Sequence, residues 1–153
     1  MASKIEVDEI FNAGGDNDTG IDLATNDQIL LKVANATRLT MNSTGQTTIV
    51  GEGGTTTTSL QQGLAKVWAK CDEHTIEDSL NVTSSTDHGT GDYTITIAND
   101  MARVEYSLTL ASGATQNLIT AQAAGSYRRE CSNSSGSVGD VNFVCSTVHG
   151  DLA

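Results

Sequence analysis

The sequence predicts an all-β protein: an N-terminal β-meander or stalk, then a small antiparallel β-sandwich head of jelly-roll-like kind, the whole assembled as a homotrimer. Three observations lead there. Apolar residues recur in short runs that alternate with polar ones, the period of a half-buried strand. Thr, Ser, Asn and Gly supply much of the remainder and favour extended chain and turns over helix. The core must also be thin, because only 37% of the 153 residues are hydrophobic and 4% aromatic, so neighbouring copies are needed to complete it. A charged fraction of 18%, with the apolar residues in patterned runs, argues for order over disorder.

Taken in order, residues 3–11 place Ile5, Val7 and Ile10 among charged neighbours, a half-buried strand expected to serve in attachment. Residues 12–20 are dense in Gly, Asn and Asp and read as a hinge loop, so 1–20 forms an attachment segment. Residues 21–59 form the meander and its linker, with turns expected at Asn26-Asp27, Asn35-Ala36 and Ser43-Thr44-Gly45. Its strands carry Ile21 and Leu23, then Ile29, Leu31 and Val33, then Leu39 and Met41, then Ile49, and no aromatic residue. Ile29, Leu31, Val33, Leu39, Met41 and Ile49 are the expected trimer core, with packing onto the C-terminal half as the alternative.

Residues 51–63 look like a low-complexity connection holding the domain boundary. Residues 60–153 are the expected head. A strand with Trp68 leads to an acidic loop over 72–78, and a hairpin follows with arms at 80–86 and 92–97 around the turn Asp87-His-Gly-Thr-Gly91. Further strands are expected at 104–111, 117–122, 126–131 and 141–148, and a single helical turn at 99–103.

Charge excludes some partners. The net −11 is spread along the chain, with three basic and eight acidic residues in 1–59 and five and eleven thereafter. Binding nucleic acid needs Lys and Arg to displace condensed counterions, and an anionic membrane repels the same surface. No apolar run is long enough to span a bilayer, and residues 1–11 carry acids where a signal peptide has bases, so the chain is expected to fold in the cytoplasm of its producer. Of the three cysteines, Cys131 and Cys145 are the pair able to bridge if they face each other across a hairpin, and the other reading is three buried thiols.

Little points to catalysis or to a cofactor. His74 among Asp72, Glu73, Glu77 and Asp78 is a candidate cation or acid-base site, weighed against a solvated acidic loop. His88 with Asp87 and Asp92 is a second metal candidate, but no C-x-x-C spacing, nucleophile elbow or phosphate-binding loop accompanies either. Ser126-Tyr-Arg-Arg129 is weighed between contact with anionic glycans and a cross-strand ion pair. Trp68 and Tyr93 are read as core residues. Loops free to vary, at Ser112 and Gly113 and at Asn133, Ser134, Ser135 and Gly136, are the candidate receptor-facing surfaces.

The runs Gly63-Leu-Ala-Lys-Val-Trp-Ala-Lys70 and Asp78-Ser-Leu-Asn-Val-Thr-Ser-Ser-Thr-Asp-His-Gly-Thr-Gly-Asp-Tyr-Thr94, with Met101 beyond, resemble the C-terminal head of tail-fibre proteins of marine bacteriophages. Ala2-Ser-Lys-Ile-Glu-Val-Asp8 is similar to the start of such chains, and the likeness covers about a third of this one. It departs at Ala69-Lys-Cys-Asp-Glu-His74, where the family has an aromatic-containing stretch. The resemblance implies a non-enzymatic virion component, a short trimeric fibre whose head touches a host surface receptor. The alternative is a capsid decoration or cement protein bound to other virion proteins at the head shell.

Overall fold

A computed structural model describes residues 6–11, 19–25, 27–51, 54–132 and 135–153, and the chain divides into two compact units, Met1–Gly63 and Leu64–Ala153. The protein is nearly all β and its sheets are antiparallel, as the alternation predicts.

In the first unit, β1 (Glu9–Phe11), β2 (Gly20–Asp22), β3 (Ile29–Val33), β4 (Ala36–Met41), β5 (Thr47–Val50) and β6 (Thr57–Ser59) form one six-stranded sheet in chain order. The turns explain the register. Ala34 and Asn35 both take positive φ, 53° and 54°, the twist a two-residue hairpin requires. Between β4 and β5, Asn42 Oδ1 accepts from the Thr44 and Gln46 amides at 3.2 and 2.9 Å while Gly45 supplies a φ of 78°. At β1 the chain is tight: a Cβ on Gly20 would stand 2.1 Å from the Ile10 carbonyl oxygen, so only glycine lets the two strands pair there.

Two expectations are corrected in this unit. The stretch 51–63 is not only a connection, because β6 pairs with β5 and is followed by a helical turn, α1 (Leu60–Gly63), whose Gln61 accepts from Thr47 N at 3.0 Å and donates to Gly45 O at 2.8 Å. The threonine run hid a strand whose side chains need no apolar partner. The expected N-terminal strand is confined, among the described residues, to β1, which pairs with β2 of its own sheet; Val7 precedes it and is exposed, and Ile5 lies outside the described residues.

The second unit holds β7 (Val67–Asp72), β8 (Thr75–Leu80), β9 (Val82–Gly89), β10 (Asp92–Ile97), β11 (Ser107–Ser112), β12 (Gln116–Ala123), β13 (Ser126–Ser132) and β14 (Val144–His149). They form two four-stranded sheets, β11-β14-β7-β8 and β12-β13-β10-β9. The inward positions follow the strand period of two: Val67, Ala69, Cys71 and Val148 of the first sheet pack with Ile95, Ile97 and Tyr127 of the second, closed at one end by Met101 and Tyr106. Asn81 alone carries the chain from β8 to β9, at a φ of 59°, with its side chain bonded to Asn99 N and O at 2.7 and 3.0 Å.

The same parity corrects three readings. Trp68 lies between the inward Val67 and Ala69, so it is half-buried on the outer face opposite Leu80. The acidic loop at 72–78 is a turn followed by β8, with Glu77 turned outward and ion-paired to Lys70 at 2.5 Å. Residues 99–103 hold no helical turn; Met101 is buried and bridges to Leu152.

Candidate functional site

Strand register gathers one continuous apolar face in the first unit. Ile10 pairs with Ile21, Ile21 with Leu31, Leu31 with Leu39 and Leu39 with Ile49, and directly opposed residues share a face. Ile29 opposite Met41, and Val33 opposite Ala36, lie beside this row on the same side. The six residues expected to form a shared core are therefore brought together on a face that is largely open: Ile29, Leu31, Val33 and Met41 are 38–49% exposed, Leu39 and Ile49 are half-buried, and neighbouring Ile10 is 52% exposed. At one end, Leu23, Ile29 and Met41 border a concavity of about 590 Å³. The opposite face mixes charged and apolar residues: Leu30 stands between Asp22 and Thr40 in register, and Lys32 is bonded to a buried Asp22 and lies 4.0 Å from Glu9. Lys32 holds Asp22 below the usual carboxylate range, and Asp22 raises Lys32 in return.

In the second unit, the turn between β9 and β10 meets residues 139–141. Gly91 has a φ of 69°, and a Cβ there would stand 2.8 Å from the carbonyl oxygens of both Cys131 and Gly139. Its amide donates to Asp140 Oδ1 at 2.6 Å, and the hydroxyl of buried Tyr93 donates to the same oxygen. These two donors hold the Asp140 carboxyl below its ordinary range, while burial and the carboxylate push the Tyr93 phenol up. Beneath Tyr93 lies Arg129, 1% exposed, its guanidinium 4.8 Å from the ring centroid and donating to Glu73 O at 2.8 Å. Asp140 also borders a cavity of about 290 Å³ formed with Gly113, Ala114, Thr115, Ser132, Gly139 and Val141.

Several sequence candidates come together here and others do not. Ser112 Oγ donates to Asn117 Oδ1 at 2.6 Å and accepts from Ala114 N at 2.9 Å, which fixes the loop that carries Gly113 to the cavity. Ser135 and Gly136 are exposed beyond β13, and Asn133 and Ser134 lie outside the described residues. His74 stacks on Tyr93 with centroids 6.3 Å apart and has Nδ1 4.0 Å from Asp87. His88 is separated from that pair because adjacent strand residues face opposite sides, and its Nε2 meets Thr94 Oγ1 at 2.9 Å. Among the described residues no three His, Cys, Asp or Glu side chains converge as a metal-binding group.

The arginines and cysteines also separate. Arg128 makes a two-point ion pair with Asp92, whereas Arg129 is enclosed, so residues 126–129 present no free basic patch. Cys131 faces inward on β13, while Cys145 lies on the outer side of β14 in the other sheet, so the hairpin bridge weighed for these two is not formed; of the three thiols read as buried, Cys71 and Cys131 are, and Cys145 is partly exposed. Burial pushes the Cys71 thiol up. Asp140 and Thr115 were not marked by the sequence. Asp140 finds its partners at Gly91 and Tyr93, 49 and 47 positions away, and the only local hint is the Gly-Thr-Gly-Asp-Tyr turn at the other end of those bonds.

Compared with family models, curated proteins and solved structures, the chain matches none.

Proposed function

We propose that this chain is a non-catalytic structural subunit of a phage virion, a short homotrimeric fibre that assembles through its first unit and displays its second. The observation that carries the reading is the open apolar face running from Ile10 to Ile49 across five paired strands. Contiguous exposed apolar surface on this scale marks an interaction site, and in a chain with net charge −11 it meets its own kind most readily when the charges stay on the opposite face. Three copies turning these faces toward a common axis would bury them together. The resemblance of residues 63–70 and 78–94 to fibre heads supports the assignment of display to the second unit.

The partners in this reading are two further copies, a tail or capsid protein at the base, and a host surface receptor at the head. Imaging intact particles with this subunit labelled tests it. Label at the tail supports the fibre, label spread over the shell transfers the chain to the cement class, and absence from purified particles removes the virion assignment.

A further inference from the structure

We propose that the cavity between residues 113–115 and 139–141 binds a small neutral polyhydroxylated ligand, one sugar ring in size, with the Asp140 carboxylate as its fixed acceptor. This rests on the reading of the second unit as a display head and names what that head takes.

Three features of the cavity select the ligand. At about 290 Å³ it sits at the lower end of the usual range for small-molecule pockets, which runs from about 300 to 1,000 Å³, so it suits one ring and not an extended chain. Its lining residues include polar ones that could orient a ligand: Asp140, Thr115 and Ser132, with Gly113 and Gly139 supplying backbone. Both hydrogen bonds that Asp140 makes among the described residues fall on Oδ1, from Gly91 N and Tyr93 Oη, which leaves Oδ2 to accept from a ligand hydroxyl. The carboxylate is thus pre-positioned by a strand and a tight turn, and binding need not order it.

Charge settles the class. A single carboxylate, already bonded to two donors, is a hydrogen-bond acceptor more than a counter-ion, and a divalent cation site usually draws on several carboxylates where this wall brings one. An anionic ligand would meet both Asp140 and a chain of net charge −11. The Phe143 carbonyl accepts from Gly113 N at 3.0 Å and fixes the loop at the cavity's edge.

Saturation-transfer NMR on the full chain tests the proposal, with free neutral hexoses, their methyl glycosides as mimics of a chain end, and N-acetylneuraminate as the anionic comparison. Two variants accompany it. Thr115→Trp fills the cavity from an exposed loop position. Asp140→Asn can keep an oxygen toward Gly91 and Tyr93 while placing an NH₂ where Oδ2 stood. The expected result is transfer to at least one neutral methyl glycoside, reduced at least tenfold in both variants, with thermal unfolding of Thr115→Trp unchanged. No transfer to any neutral sugar at millimolar concentration, equal transfer to N-acetylneuraminate, or signal that survives both variants would overturn it. Binding of free hexoses but not of methyl glycosides would overturn the link to a surface glycan. If sugars fail while the subunit is still found on the particle, the display reading stands and this ligand does not.

Discussion

Gly91, Tyr93 and Asp140 form a junction in which each residue has a separate task. The glycine is held at a φ of 69° with backbone oxygens 2.8 Å from where a Cβ would be, so Gly91→Ala meets left-handed strain of about 1–2 kcal/mol and overpacking of about 1–3 kcal/mol. Urea unfolding followed by Trp68 fluorescence should show that loss, whereas Gly113→Ala, with open space around its Cβ, should leave the midpoint nearly unchanged. Asp140 and Asp92 are held below the ordinary carboxylate range by Tyr93 and by Arg128, so their stabilisation is present above about pH 4 and is lost as pH falls through the lower folded values. Asp92→Asn should therefore flatten the acid limb of a stability profile. At the other extreme, burial pushes Tyr106 and Tyr127 up to about 12, so the second unit should weaken as pH rises from about 10 toward 12. Of the thiols, partly exposed Cys145 should react with a thiol reagent in the folded protein, and buried Cys71 and Cys131 only on unfolding.

Strands were legible where alternation was strong and obscure where it was not. Tyr93, Ile95 and Ile97 could be read directly as one inward face and are 1%, 0% and 3% exposed. Residues 57–59 escaped because threonines satisfy a strand without an apolar signature, and 75–80 because acids on an outward face look like a loop. Trp68 was misplaced for a related reason: its size suggests core, yet strand parity between two inward residues decides its side. The candidate site was less legible still, since Asp140 depends on partners nearly fifty positions away and sequence spacing carries no such information. Arg129 illustrates how a sandwich interior accommodates one cation through a ring face and a carbonyl. Arg129→Ala should cost about 2–5 kcal/mol as a large-to-small core change, and Arg129→Met should recover most of it by restoring volume without a buried charge, as chemical denaturation of each variant would show.

The two units solve the problem of a thin core differently. The second faces two sheets across an apolar interior and has the buried cluster of a self-sufficient domain. The first has one sheet with its apolar row on the surface, and a single layer cannot bury its own face. Self-association of the first unit is therefore the central claim, and Leu31, in the middle of the row, is the position on which to test it. Sedimentation velocity at micromolar concentration should find the wild-type chain at three times the monomer mass and Leu31→Lys as a monomer with the second unit still folded. A stable, fully folded wild-type monomer under those conditions would contradict the account.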